Sequence, residues 1–258
     1  MKSIEVKILN PEQLDSAEKM MVAMARLTQR SHKIRCMADL LELLEKPYTP
    51  GLAENMVMLP HPTIQKFGLI NIAVVGASRR FLAQITRHQN EIKFMSGSLQ
   101  YSDYSDEAQF CVPYEITKYD AEHPELKGWA RQQYLNSCFQ SLDDYRKAAP
   151  LIGNDAAGYQ MPQGMRNVLI MSVLPFELKH IIQQRTCNRN TLETQYVLLK
   201  IWEQLKDEAL FMDAAPDCTR RGGCREGKMT CGRPFAPSDG PEEILRREFP
   251  LYYQEDEA

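Results

Sequence analysis

The sequence predicts a fold built from both strands and helices, on three observations. Residues 3–9 alternate polar and apolar side chains, with Ile4, Val6 and Ile8 on one side, as a half-buried strand does. Residues 67–75 and 168–173 are apolar runs of strand length. Around them lie longer segments with apolar residues at helical spacing, at 12–28, 124–149 and 175–206.

After the first strand, Asn10-Pro11 offers a cap and a first helical residue, so a Met- and Ala-rich helix is expected to about Thr28. Residues 37–44 read as a short helix stopped by Pro47 and Pro50. Gly76-Ala77-Ser78 is expected to break the second strand. Ser78 then caps a helix running to about His88, with Phe81, Leu82 and Ile85 on its apolar side. Residues 90–106 read as a polar loop, 110–114 as a short extended piece, and 152–164 as a loop of small residues. Residues 175–206 read as helix in one or two pieces. From Asp213 the chain is Pro-, Gly- and Cys-rich, then acidic, which predicts a main domain over residues 1–212 and a tail over 213–258.

The composition excludes several classes. In 258 residues, 43% are apolar and 25% charged, as in a soluble globular protein. A net charge of -3 gives no general attraction to nucleic acid or anionic membrane, so any anion must be held by a local cluster. No apolar run is long enough for a membrane span. The start, Met1-Lys2-Ser3-Ile4-Glu5, lacks an apolar signal core, which predicts a cytoplasmic protein. Seven cysteines without an export signal point to reduced thiols or a metal site rather than a disulfide framework. There is no internal repeat, and neither common nucleotide-binding glycine motif is present.

Three constellations carry chemistry. The first is Gln84, Arg87, His88 and Gln89, followed by Ser98, Gln100 and Tyr101. Arg pairs bidentately with phosphate and stacks on rings, so this set suits a phosphorylated aromatic ligand. The alternative is a solvated helix end followed by an exposed loop. The second is the run from Gln184 to Glu193. Arg185, Arg189 and Glu193 stand four apart, as in a surface salt-bridge ladder, yet Asn188 and Asn190 are poor interior helix formers and hint at a break or a ligand contact. The third is Cys218, Cys224 and Cys231. Three thiols at this spacing can hold zinc with a fourth ligand such as Cys187 or a residue of a partner chain, although the short paired spacing of a zinc knuckle is missing. Free thiols or a redox-sensitive pair are the alternative.

Taken together, these segments resemble the flavin-dependent thymidylate synthase family. Its core signature is Arg-His-Arg, then Ser-x-Arg-Tyr seven or eight residues later, with a Gln three residues before the first Arg. This chain reads Gln84-x-x-Arg87-His88-Gln89, then Ser98-Leu99-Gln100-Tyr101. Gly76-Ala77-Ser78-Arg79 and Phe81-Leu82-Ala83-Gln84 look like the family's lead-in, and Phe110-Cys111-Val112-Pro113 like the strand after the motif. Gln184-Arg185-Thr186-Cys187-Asn188-Arg189 resembles its second motif, and Cys224-x-Glu226-Gly227-Lys228-Met229-x-Cys231-Gly232 a tail many members carry. The resemblance spans roughly residues 55–235. The departures are Gln89 and Gln100 where Arg is usual, Ser96 where a flavin-contacting Glu is usual, Gly158 where a phosphate-contacting Arg is usual, and Leu174-Pro175-Phe176 in place of Asn-x-Arg.

The resemblance implies an α+β fold with a central β-sheet flanked by helices, the catalytic domain being residues 1–212. It implies reductive methylation of dUMP to dTMP, with FAD as cofactor and NADPH and methylenetetrahydrofolate as co-substrates. Arg185 would polarise the pyrimidine carbonyl, and Ser98 would orient the nucleotide. Gln84, Gly97 and Gln100 would bind the nucleotide, and Arg87, His88, Gln89, Ser96, His180 and Arg189 the flavin. No resident metal is implied. The expected partners are the nucleotide, the folate and further copies of the chain in a homotetramer with active sites between subunits, with no nucleic acid and no membrane. The missing arginines keep two alternatives open: the same fold methylating or hydroxymethylating another pyrimidine nucleotide, and a non-catalytic flavin- or nucleotide-binding oligomer. Arg79, Arg166 and Arg189 are the candidates to replace the lost phosphate contacts.

Overall fold

The structure, a computed structural model, describes residues 4–106 and 108–252. Ser3, the rest of the start and the acidic end lie outside the described residues. Four antiparallel strands form the sheet, in the order β1-β2-β4-β3: β1 Glu5–Ile8, β2 Ile70–Ser78, β3 Ile92–Ser96 and β4 Arg166–Val173. The α+β expectation holds. The strand period of two sets what faces inward. Ile70, Ile72 and Val74 of β2 and Leu169, Met171 and Val173 of β4 are all buried, while Val75 and Val168 on the opposite face stay exposed.

The helices follow in chain order. On the N-terminal side lie α1 (Glu12–Arg30), α2 (Met37–Glu45), α3 (Pro50–Met58) and α4 (Arg79–Ile85). The middle holds α5 (Tyr114–Glu122), α6 (Trp129–Ile152) and the single turn α7 (Asn154–Ala157). After β4 come α8 (Pro175–Arg185), α9 (Leu192–Leu205), the turn α10 (Asp217–Arg220) and α11 (Pro241–Glu248). The main core joins the inner sheet face to α1, α8 and α9, with Val197, Leu198, Leu199 and Ile201 fully buried. Phe235, Ile244, Leu245 and Phe249, all beyond residue 212, pack into that same core. A second, smaller cluster joins Cys138, Leu142, Tyr145 and Ala149 on one face of α6 to Phe110 and Met165.

Several local expectations give way to tertiary context. Pro50 opens α3 rather than ending a helix, because its fixed φ suits a first helical position. Asn10 does not cap α1. Its amide instead bonds Leu69 O (2.9 Å) and accepts from Asn71 N–H (2.7 Å), which pins the start of β2. Gly76 does not end β2 but makes a bulge at φ +89°, where the register shifts between Val75 and Ala77. A Cβ at Gly76 would sit 2.0 Å from Arg166 Nη2, so that guanidinium can lie against the strand only because Gly is there. Within the expected loop 90–106, residues 92–96 pair with β4 as β3. The helix expected from 124 starts at Trp129, after a 3-10 turn at Pro124–Leu126, and runs past Pro150 to Ile152. Both α5 and α11 arise where no helix was expected.

Candidate active site

The site starts at the N-terminus of α4. Ser78 Oγ accepts from Phe81 N–H at 3.1 Å, the expected cap. Ser78 is itself fixed by Glu193, which accepts from both its N–H (2.6 Å) and its hydroxyl. Glu193 is therefore a bridge between α9 and α4, not the third rung of a helical ladder. That ladder does not form, because α8 ends at Arg185 and residues 186–191 make a turn. Asn190 shapes the turn through Nδ2 to Gln184 O (2.7 Å) and Cys187 O (3.3 Å). Arg189 swings away to Glu226 (3.6 Å) and leaves the Arg185 cluster.

α4 stops at Ile85, earlier than expected, and Thr86 ends it. The chain then presents Arg87 and Gln89 to solvent and turns His88 inward. Arg185, the last residue of α8, reaches across to this bend. Its Nε donates to His88 Nε2 (2.9 Å), its Nη1 to Asn190 Oδ1 (3.2 Å) and its Nη2 to Gln84 O (3.3 Å). All three partners are neutral. Burial, and then Arg87 nearby, pull the Arg185 pKa down from its usual range. Among the described residues no carboxylate pairs with this guanidinium, so it is fixed in place as a cation, the state that a developing oxyanion or a phosphate would meet.

His88 is neutral in this arrangement. Its pKa falls to about 4, first by burial and then by the charges of Arg185 and His180. Since Nε2 accepts from Arg185, the ring proton sits on Nδ1, facing Glu177 at 3.7 Å. That contact is long and is not an ion pair while the ring is neutral. Between pH 6.5 and 4 the unfolded chain takes up a proton that the folded site refuses, so His88 makes stability fall as pH drops through that window, by about 3 kcal/mol. Glu177 acts oppositely, because burial raises its carboxyl pKa and the folded state takes that proton first. His88→Gln is expected to flatten the acid-side loss in denaturant midpoint. An unchanged slope would remove His88 as its source.

The second half of the first constellation lies at the other end of β3. Gly97 N–H donates to Val168 O (3.2 Å) and Asn167 Oδ1 (3.1 Å). Ser98 Oγ accepts from the N–H groups of Gln100 (3.1 Å) and Tyr101 (3.4 Å), which closes a tight turn. These donors are backbone amides and not a base, which suits an orienting hydroxyl rather than a nucleophile. Ser96 and Gln100 are exposed. Leu99 packs on Gly158, where a Cβ would come within 3.2 Å, so the 158 loop does stand beside the Ser98 turn. Five residues of β3, at about 3.3 Å each, separate Arg87–Gln89 from Gly97–Gln100 by about 16 Å along the strand. The structure therefore does not bring the two halves together within one chain.

Two cavities flank these groups. One, of about 440 Å³, is lined by Gly97, Tyr104, Asn167 and Arg166. The other, of about 770 Å³, is lined by His180, Phe176, Lys179 and Arg220. His180 is exposed there, one residue from a buried ion pair absent from the sequence reading: Lys179 Nζ donates to Asp213 Oδ1 (2.7 Å) and Gln65 Oε1 (2.5 Å). Sequence reasoning also missed Glu177 and Asn167, whose partners are far away in the chain. Among the described residues no three His, Cys, Asp or Glu side chains are arranged to hold a metal ion, and no helix is long and apolar enough to cross a membrane.

The sequence model of the family described as thymidylate synthase complementing protein matches residues 12–209. The chain belongs to that family. Two relatives, the flavin-dependent thymidylate synthases of Thermococcus onnurineus and Thermococcus kodakarensis, are each 25% identical to it. The matches run over 179 and 178 residues, 66% of this chain and 69% of each relative. Thymidylate synthase X from Helicobacter pylori, crystallised with FAD and dUMP, shares the fold at a TM-score of 0.59 and 18% identity, covering 82% of this chain and 99% of that one. PolB from Streptomyces cacaoi, a UMP/dUMP methylase bound to 5-Br dUMP, does so at 0.62 and 14%, covering 83% and 95%. Within the family this is a divergent sequence.

Proposed function

We propose that the chain methylates carbon 5 of dUMP to give dTMP, with FAD bound, methylenetetrahydrofolate as one-carbon donor and NADPH as reductant. The observation that carries this reading is Arg185, held at three nitrogens by neutral partners with no carboxylate paired to it among the described residues. Such a cation can polarise a pyrimidine carbonyl and stabilise enolate-like charge without reorganising. Neutral His88 positions it and cannot neutralise it.

The residues present fit a flavin. Its phosphates need cations and its ring needs amide-like partners. Arg87, close enough to Arg185 to lower its pKa, and Gln89 are exposed, and Arg79 Nη1, at the start of α4, is buried with no hydrogen-bond partner among the described residues. When bound, the flavin supplies the reducing chemistry. The chain would hold it with Arg87, His88, Gln89, Ser96, His180 and Arg189. Arg189 contributes only if it leaves Glu226. The nucleotide would meet Gln84, Gly97, Ser98, Gln100 and Arg185. Because β3 separates these groups, one complete site would take Gly97–Gln100 from a second copy, which supports a homotetramer with shared sites.

Arg166 is the best replacement for the missing phosphate arginines, since it lines the cavity that also holds Gly97. Arg166→Gln is expected to raise the KM for dUMP about tenfold, the loss of one charge-assisted hydrogen bond of about 1.5 kcal/mol. Ser98→Ala should lower turnover by a similar factor while leaving flavin binding intact. Titration with dUMP and UMP tests the reading directly: tight, flavin-dependent dUMP binding supports it. A second reading, the same chemistry on another pyrimidine nucleotide, is favoured by Gln100 and Gly158, and preference for that nucleotide over dUMP would establish it.

A further inference from the structure

Four of the seven cysteines line a single cavity of about 310 Å³: Cys187 from the turn after α8, and Cys218, Cys224 and Cys231 from the segment 217–232. None of the four is in a disulfide. The other three, Cys36, Cys111 and Cys138, lie outside this cavity.

The segment 217–232 has an unusual need for a brace. Of its side chains only Thr219 is buried, and residues 220–230 are almost all exposed. It carries Gly222, Gly227 and Gly232 at positive φ, so neither burial nor backbone stiffness fixes it. At its end, Gly232 at φ +71° turns the chain so that Arg233 N–H donates to Cys231 Sγ at 3.3 Å. An amide aimed at sulfur favours the thiolate, as outer hydrogen bonds do around metal-bound ligands. The cavity lining carries three cations, Arg189, Arg225 and Arg233, against two carboxylates, Asp217 and Glu226, with Arg189 paired to Glu226 (3.6 Å) and Arg233 to Glu248 (3.5 Å).

We propose that Cys187, Cys218, Cys224 and Cys231 form a structural zinc site that clamps the 217–232 segment onto the α8–α9 turn. Four thiolates leave no open position, which marks the site as structural rather than catalytic. Each thiol gives up its proton as the metal binds, with no change in oxidation state. The thiols do not yet converge on one point. Closing the site to Zn–S bonds of about 2.3 Å takes side-chain rotation and movement of the glycine-rich segment. The ion would then tie Cys187 to the tail two residues from Arg185, and the proposal holds whichever nucleotide the protein uses.

The test is elemental analysis of the full-length protein purified under reducing conditions from zinc-supplemented cells. About one zinc per chain is expected, as for a four-thiolate site. Cys218→Ser and Cys224→Ser should each lose at least about nine-tenths of it, and Cys36→Ser none. Cobalt in place of zinc should give the intense near-ultraviolet bands and visible bands of tetrahedral thiolate coordination. Background zinc in the folded native protein, iron in its place, a disulfide among the four cysteines, or zinc retained by both variants would each overturn the proposal.

Discussion

Arg185→Ala is expected to lower kcat for dUMP methylation by about 10²–10³-fold, the usual cost of removing one preorganised oxyanion donor. The fold should survive. Arg185 is only half-buried at the end of α8, and its three hydrogen bonds go to a bend and a turn that water can reach once the side chain is gone. The loss should appear in kcat more than in KM, because the interaction strengthens as charge develops on the pyrimidine. Arg185→Lys should recover little, since one ammonium cannot bond His88, Asn190 and Gln84 O while facing a ligand. Single-turnover rates with prereduced enzyme measure this directly. Near-normal rates for the alanine variant would remove Arg185 from the chemistry.

The second large effect concerns stability. Asp213→Ala is expected to cost about 3–5 kcal/mol, because it leaves the buried Lys179 ammonium with only Gln65. Burial already lowers the pKa of that ammonium, and Asp213 is the charge that opposes the shift. Lys179→Met should be far milder, since Asp213 keeps Arg220 at 3.2 Å. The double variant should regain most of the Asp213→Ala loss, as the uncompensated charge is then absent. Urea midpoints of the three variants decide the matter. Equal instability of Asp213→Ala and the double variant would show that the lysine charge is not the cause.

What the sequence made legible depended on how local its cause was. The Ser78 cap, the inner faces of β2 and β4 and the break between α8 and α9 each rest on residues within a few positions, and each was readable. Asn188 and Asn190 signalled the break because their amides compete with the helix backbone, and Asn190 does so at Gln184 O and Cys187 O. β3 was hidden because five residues with polar flanks make too short a pattern, and its pairing with β4 supplies what propensity does not. Lys179–Asp213, His88–Glu177 and Glu193–Ser78 were invisible for a different reason. Each joins distant parts of the chain, and only the packing of α8 and α9 against the sheet brings them together. That Arg87 and His88 diverge follows from their helical offset of about 100°, and in the structure Arg87 faces solvent while His88 turns inward; that His88 meets Arg185 was not readable, because 97 residues separate them.

The most direct measurement is an anaerobic incubation of the purified protein with FAD, NADPH, methylenetetrahydrofolate and dUMP, with nucleotide masses read out. dUMP is expected to gain one methyl group, and Arg185→Ala to form that product about 10²–10³-fold more slowly while still binding flavin. Unchanged dUMP from a flavin-loaded, folded protein would contradict the proposed function.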